Sequence, residues 1–260
     1  MTNLPPAILT LPVAVVGLVM GSFVTALSYR LPRGESVARG RSRCPSCGHV
    51  LGVRDLVPVV SWLAYRGSCR HCGARVSARY PAIELTTMTL FAAGPWLVSD
   101  PWRLVLFALM TVTMVALAVI DLEEQRLPNG MLFALLAASL TWRWALDGNL
   151  VNGVAASAVI FASGLLLNAG FRGLVGHSGL GLGDLKLLGV CAVGLPLGPL
   201  LLFLCGAGLL GVAFGTFWYW RRGATVFPFG PPVLMACWLT LAAGGQAFDL
   251  LLSHLGLGLS

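Results

Sequence analysis

Charge is what this 260-residue sequence has least of. Only 10% of its residues are charged, against about 25% in an ordinary soluble domain, and that excludes a conventional water-soluble fold. Acid is scarcer still, with ten Asp and Glu against seventeen Lys and Arg. The opening residues MTNLPP contain no Lys or Arg, so the first apolar run lacks the basic start of a cleaved signal peptide and is expected to remain as a helix. Solenoid repeats and low-complexity tracts are absent. So is any strand–glycine–helix unit of the kind that cradles a dinucleotide.

Apolar residues, by contrast, make up 57% of the chain, and the mean hydropathy is +0.84. They come in runs of roughly 17 to 24 residues, the length that crosses a hydrocarbon core as helix. Eight hydrophobic segments can be read, at about 7–29, 82–98, 103–120, 130–146, 152–170, 185–199, 200–220 and 230–252. The sixth and seventh are divided only by GLPLGPL, whose two prolines break or turn a helix. The sixth is short for a span and is expected to be tilted or shielded by its neighbours. With the N-terminus outside, the internal segments and their flanks hold 15 of the 17 basic residues, leaving only Arg103 and Arg143 elsewhere. The net charge of +7 therefore reports membrane topology, not nucleic-acid binding. The expected fold is an all-α polytopic membrane protein of about eight transmembrane helices with one cytoplasmic zinc-knuckle loop. Its parts are a first helix at 1–29, the loop domain at 30–81 and a transmembrane core at 82–260. The 32 glycines mostly lie in or beside spans, where small residues let helices approach closely.

The loop carries CPSCGHV and CRHCGAR, placing Cys44, Cys47, Cys69 and Cys72 in two CxxC pairs. Two such knuckles aim four thiolates at one ion in the tetrahedral arrangement of structural zinc. A segment of this size buries too little apolar surface to fold alone, so a metal staple has a physical motive. Disulfides are the weaker alternative in a cytoplasmic loop. His49 and His71, beside the knuckles, are surplus to a four-thiolate site and are expected to be solvated. Cys191, Cys205 and Cys237 are expected to be packing residues.

With so few acids, each can be weighed. Asp100, Asp147 and Asp249 fall at span ends, Glu35 and Asp55 in the loop, and Glu123 and Glu124 in a short turn. Glu84 lies about a turn into the second span and is left open between an ion pair, with Arg79 the nearest candidate, and a site role. Asp121 ends the third span in ALAVIDLEEQ, and Asp184 opens the sixth in GLGDLKLL. Taken singly, either could be a boundary or capping residue. Together, at similar depth, they form a pair that shares one proton, one acting as general base on water and the other as an acid toward a carbonyl. Gly181 and Gly183 would let an extended backbone approach Asp184. Lys186 is expected to be a snorkelling boundary lysine pointing away from Asp184. His177 and Ser178 are adjacent, but sequence neighbours rarely make a catalytic pair.

These features resemble the type IV prepilin peptidases. GLGDLKLL matches the GxGD motif of membrane aspartyl peptidases. The stretch from GSF to YRLP, the two knuckles, the segment DLVPVVSWLAYRGSCRHCGARVSARYPAIELTT, DLEEQRLPN and FPFGPP follow in the family's order over roughly residues 17–235. Where the family often has Asn two residues after GSF, this chain has Thr25. The resemblance implies an inner-membrane enzyme that cuts the basic leader from prepilin or pseudopilin precursors, with Asp121 and Asp184 as the catalytic pair and the four cysteines as zinc ligands. It further implies N-methylation of the new terminus with S-adenosylmethionine, for which no residue can be named. Glu35, Glu123 and Glu124 are the candidates for gripping the leader. The rival readings are a proton-coupled transporter, a methyltransferase without peptidase activity, and a zinc-knuckle assembly protein.

Overall fold

Helices form over the apolar runs. The computed structural model describes residues 5–37, 40–176, 179–224 and 226–254; His177 and Ser178 lie outside them. In chain order the helices are α1 (Pro6–Arg30), α2 (Val60–Ala64), α3 (Arg79–Leu97), α4 (Pro101–Glu124), α5 (Asn129–Asp147), α6 (Leu150–Val175), α7 (Leu182–Val193), α8 (Leu197–Arg222) and α9 (Gly230–His254). All but α2 lie over the expected segments, and the break between α7 and α8 falls at the GLPLGPL turn. Among the described residues there is no β-strand, only two isolated antiparallel bridges in the loop, Arg43 to Val50 and Ser68 to Arg75. Four helices are long and apolar enough to cross a membrane by length and composition: α1 with its 3-10 extension to Arg33, α4, α6 (Leu150–Leu174) and α8. The helix α9 adds a shorter apolar stretch, Gly230–Ala243.

The chain divides into two compact units, Met1–Leu104 and Val105–Ser260. In the first, α1 and α3 lie antiparallel and in close contact. Gly17 and Gly21, four residues apart on α1, make that approach possible. A Cβ on Gly17 would lie 2.5 Å from the Phe91 Cβ, and one on Gly21 would lie 2.6 Å from the Glu84 Cα. One end of the pair is closed by Trp96, whose Nε1 donates to Thr10 Oγ1 at 2.8 Å. At the other end Arg79 donates to Ser28 Oγ at 2.8 Å and to the Thr25 carbonyl at 3.4 Å.

In the second unit α4 contributes the largest share of the core, from Leu106 to Asp121. The Phe107 ring packs between Trp142 of α5 and Trp238 of α9, with centroids 6.0 and 5.3 Å away. Trp238 Nε1 donates to Thr111 Oγ1 at 3.0 Å, which satisfies two buried polar groups at once. The twelve residues of α7 reach only about 18 Å. That helix is shielded, as its length requires: Leu185, Leu187, Cys191, Ala192 and Val193 are buried against α5, α6 and α9. Gly153 of α6 is needed there, because a Cβ at that position would lie 2.5 Å from the Val193 carbonyl oxygen.

Gly21→Leu is therefore expected to force α1 and α3 apart, at a cost of about 1–3 kcal/mol typical of overpacking. Thermal unfolding in detergent checks this. Gly208→Leu, at a position with nothing within 4 Å of an added Cβ, serves as the near-neutral control.

Candidate active site

Asp121 sits in the last turn of α4 and is only 4% exposed. A buried carboxylate needs donors, and Asp121 finds one far along the chain: the Gly230 N–H, at the first residue of α9, donates to its Oδ2 at 2.8 Å. Gly230 must be glycine for this contact. A Cβ there would lie 2.7 Å from Oδ2 and 3.1 Å from Cγ of Asp121. FPFGPP stands out in the sequence, but nothing in its local pattern indicates that its glycine backbone grips Asp121.

Asp184 is the third residue of α7, whose N-cap is Gly181. It is half-buried, and its carboxylate turns back to accept from the Gly181 N–H, the N3-to-N-cap half of a capping box. Asp184 is thus not the cap itself. Gly181 leaves room for the carboxylate, since a Cβ would stand 3.0 Å from Asp184 Oδ2. A Cβ on Gly183 would instead lie 3.5 Å from Leu127. Asp184 is the acidic group whose charge acts on Asp121, which puts the two carboxylates, from separate helices, within electrostatic range of each other. Lys186 is exposed, as a snorkelling lysine would be, but it has a partner: its Nζ donates to Asn129 Oδ1 at 3.1 Å. Asn129 opens α5, so this bond ties the start of α7 to the chain that leaves Asp121. Glu123 and Glu124 are exposed beyond it.

In the first unit the four loop cysteines come together, their sulfurs all within 4.8 Å of one another. The two knuckles have the same build. Cys44 N–H donates to the His49 carbonyl and Gly48 N–H to the Cys44 carbonyl; Cys69 N–H donates to Ala74 and Gly73 N–H to Cys69, all at 2.8–2.9 Å. Gly48 and Gly73 have φ of 68° and 71°, the left-handed turn that favours glycine. N–H groups of Cys47 and Ser46 pull the Cys44 thiol down to about 6. Cys72 goes the other way. Against a hydrogen bond from Ala74, desolvation and its three sulfur neighbours push it up to about 11. Four crowded thiols cannot all ionise without a cation among them, so the donor set suits a metal ion. His49 and His71 are exposed and stack on each other, ring centroids 3.4 Å apart, outside the four-sulfur group.

Two acids tie down the segment between the knuckles. Asp55 accepts from the Gly52 N–H at 2.9 Å and pairs with Arg70 Nε at 3.1 Å; the Gly52 hydrogen bond first, then Arg70, hold its carboxyl below the usual range. Glu84, 6% exposed, accepts from the Val59 N–H at 2.7 Å and from the Ser22 side chain. The sequence offered Arg79 as its partner, but that guanidinium is turned toward Ser28 and Thr25.

Comparison with known proteins identifies the family. Residues 15–98 match the family model of the bacterial peptidase A24 N-terminal domain, and residues 104–216 match that of the type IV leader peptidase family. A prepilin leader peptidase/N-methyltransferase of Dichelobacter nodosus is 36% identical over 208 residues, covering 79% of this chain and 72% of that one. The chain belongs to the type IV leader peptidase family. A prepilin leader peptidase/N-methyltransferase of Stutzerimonas stutzeri is 30% identical over 93% of both chains. A type 4 prepilin-like proteins leader peptide-processing enzyme of Escherichia coli is 33% identical, covering 87% of this chain and 91% of its own. No solved structure matches. Asp121 and Asp184 both lie in the stretch matched to the leader peptidase family, the four cysteines lie in the other, and Gly230 lies beyond both.

The purified chain is expected to carry one metal ion held by the four sulfurs. Elemental analysis of the parent and of Cys47→Ser and Cys72→Ser checks this, with both variants losing the ion.

Proposed function

We propose that this chain is a membrane aspartyl peptidase that removes the leader from type IV prepilin-like precursors and then methylates the new N-terminus. The observation that carries the first half is the convergence of Asp121 and Asp184. They come from different helices, each is oriented by a backbone N–H, and each lies within electrostatic reach of the other. Two carboxylates so placed share one proton. The ionised one takes a proton from a water molecule, whose oxygen attacks the scissile carbonyl carbon. The protonated one donates to the carbonyl oxygen, and a proton then passes to the departing amine nitrogen as the C–N bond breaks.

The excess of basic residues in the loop and internal segments supports a reading with the loop, both aspartates and the scissile bond on the cytoplasmic face of a bacterial inner membrane, the N-terminus outside and eight helices spanning. A prepilin, with a cationic leader and a following apolar helix, would leave that helix in the bilayer and offer its junction at this depth. The N-terminal unit and its metal centre then serve substrate handling and methylation. Zinc suits the centre. At a Zn–S distance of about 2.3 Å, tetrahedral geometry separates sulfurs by about 3.8 Å, and the Cys44 and Cys72 sulfurs lie 3.9 Å apart. Its role is to fold a loop too small to fold alone, with no part in peptide cleavage. Methylation follows from the relatives' names and the family resemblance. Among the described residues there is no strand–glycine–helix unit for S-adenosylmethionine, so no residue is assigned to the donor.

Asp121→Asn and Asp184→Asn are each expected to lower cleavage of a prepilin in membranes by roughly 10²-fold or more, with insertion and metal content unchanged. Parental cleavage by either variant would defeat the dyad. Gly230→Ala, which crowds Asp121 Oδ2, is expected to lower cleavage by roughly tenfold, the scale of losing one hydrogen bond to a charged group. The same membranes report all three rates.

A further inference from the structure

The segment joining the two knuckles is built unlike a cytoplasmic loop. Val53, Leu56, Val57, Val60 and Leu63 are each between 40% and 85% exposed, five large apolar side chains within eleven residues. Soluble surfaces scatter such residues singly; a contiguous patch marks an interface. Arg54 within it and Arg66 just beyond it are both exposed.

The depth of this segment follows from the α1–α3 pair. Trp96, 63% exposed and bonded to Thr10, marks one membrane boundary in the manner of an interfacial tryptophan. Tyr29, Arg30 and Arg33 mark the other, with Tyr29 exposed and Arg33 lying 4.1 Å over its ring. From Thr10 to Arg30 is about 30 Å of helix, the thickness of a hydrocarbon core. Gly21, beside the Glu84 Cα, lies about 13 Å along α1 from Arg30. Even if the Glu84 side chain leaned back a whole turn toward the start of α3, its carboxylate would meet Val59 roughly 8 Å below Arg30.

The contact is firm enough to hold the loop there. A backbone N–H donating to a carboxylate at 2.7 Å is a charge-assisted bond. It also fixes Val59 at φ 60°, a conformation that a β-branched residue keeps only when its surroundings impose it. From Val59 the chain enters α2, whose Trp62 donates to the Val76 carbonyl at 3.0 Å and packs on Gly67, next to the second knuckle. The dip is thus linked rigidly to the metal centre.

We propose that residues 53–63 form an interfacial element sunk into the bilayer, resting their apolar side chains among lipid tails with Arg54 and Arg66 at anionic headgroups. The patch then continues the lipid-facing surface of α1, where Val15, Val16, Val19 and Phe23 are exposed. Short apolar elements with a basic fringe settle at this boundary. The zinc-knuckle module is held at the membrane by this element as well as by its two chain connections.

The test places a fluorescent noncanonical residue, excited beyond tryptophan absorption, at position 60 or 63 of the full chain. Position 16 is the lipid reference and position 41 the water reference. The protein is reconstituted in vesicles of phosphatidylethanolamine and phosphatidylglycerol. Positions 60 and 63 are expected to be quenched by lipids brominated on the acyl chain, as position 16 is, and to lose most of the iodide quenching seen at position 41. Iodide quenching equal to that at position 41 would place the segment in water and overturn the proposal. Protection from both quenchers would show protein covering the patch and overturn it equally.

Discussion

The hydrogen bond from the Gly230 N–H to Asp121 is the contact on which the second unit depends. It joins residues 109 positions apart, fixes the start of α9 against the end of α4, and orients a carboxylate that would otherwise be buried without a donor. The Phe107, Trp142 and Trp238 cluster and the Trp238–Thr111 bond hold the same helices together further along. On the other side of the site, the Lys186–Asn129 bond limits how far α7 can drift from the chain leaving Asp121. Two acids on separate helices can share a proton only if both frames are rigid, and these contacts supply the rigidity.

The same device recurs throughout the chain. Asp121, Asp184 and Glu84, the three acids of the α-helices that are not exposed, are each answered by a backbone N–H: Gly230, Gly181 and Val59. Cations are in excess, seventeen against ten acids, yet the half-buried Arg79 donates to a carbonyl and a hydroxyl. A guanidinium beside a catalytic carboxylate would fix its charge. A backbone N–H orients it while leaving its proton free to pass to a neighbouring acid or to substrate. Glycine follows from this choice: the N–H donors to both aspartates are glycines, and Gly21 lets Glu84 approach α1.

This division also explains what could be read from the sequence. The eight apolar runs each form a helix because long apolar runs specify helices by local composition, and the α7–α8 break is written in its prolines. The two CxxCG knuckles are legible for the same reason, since each is closed by bonds within six residues. The roles of Gly230, of Val59 and of the Asn129 partner of Lys186 are not, because each depends on a contact between distant segments. Glu84 shows the limit well. Its burial demanded a partner and Arg79 was nearest in sequence, but the donor is a backbone group 25 residues upstream, which carries no side-chain signature.

The metal centre and the aspartate pair therefore differ in kind. Each knuckle is a local turn that forms its own hydrogen bonds, and an ion held by the four sulfurs would join the two. The crowding of four thiols within 4.8 Å of one another is the chemical motive for that ion. What the ion does not fix is the chain between the knuckles. Asp55 ties that chain to Arg70 between the second pair of cysteines, and Glu84 ties it to the membrane pair of α1 and α3. A metal-folded module is thus connected to a membrane-folded one through two carboxylates. Since Glu84 reaches the loop below the level of Arg30, the apolar side chains of residues 53–63 face outward where lipid, not water, is the solvent that suits them.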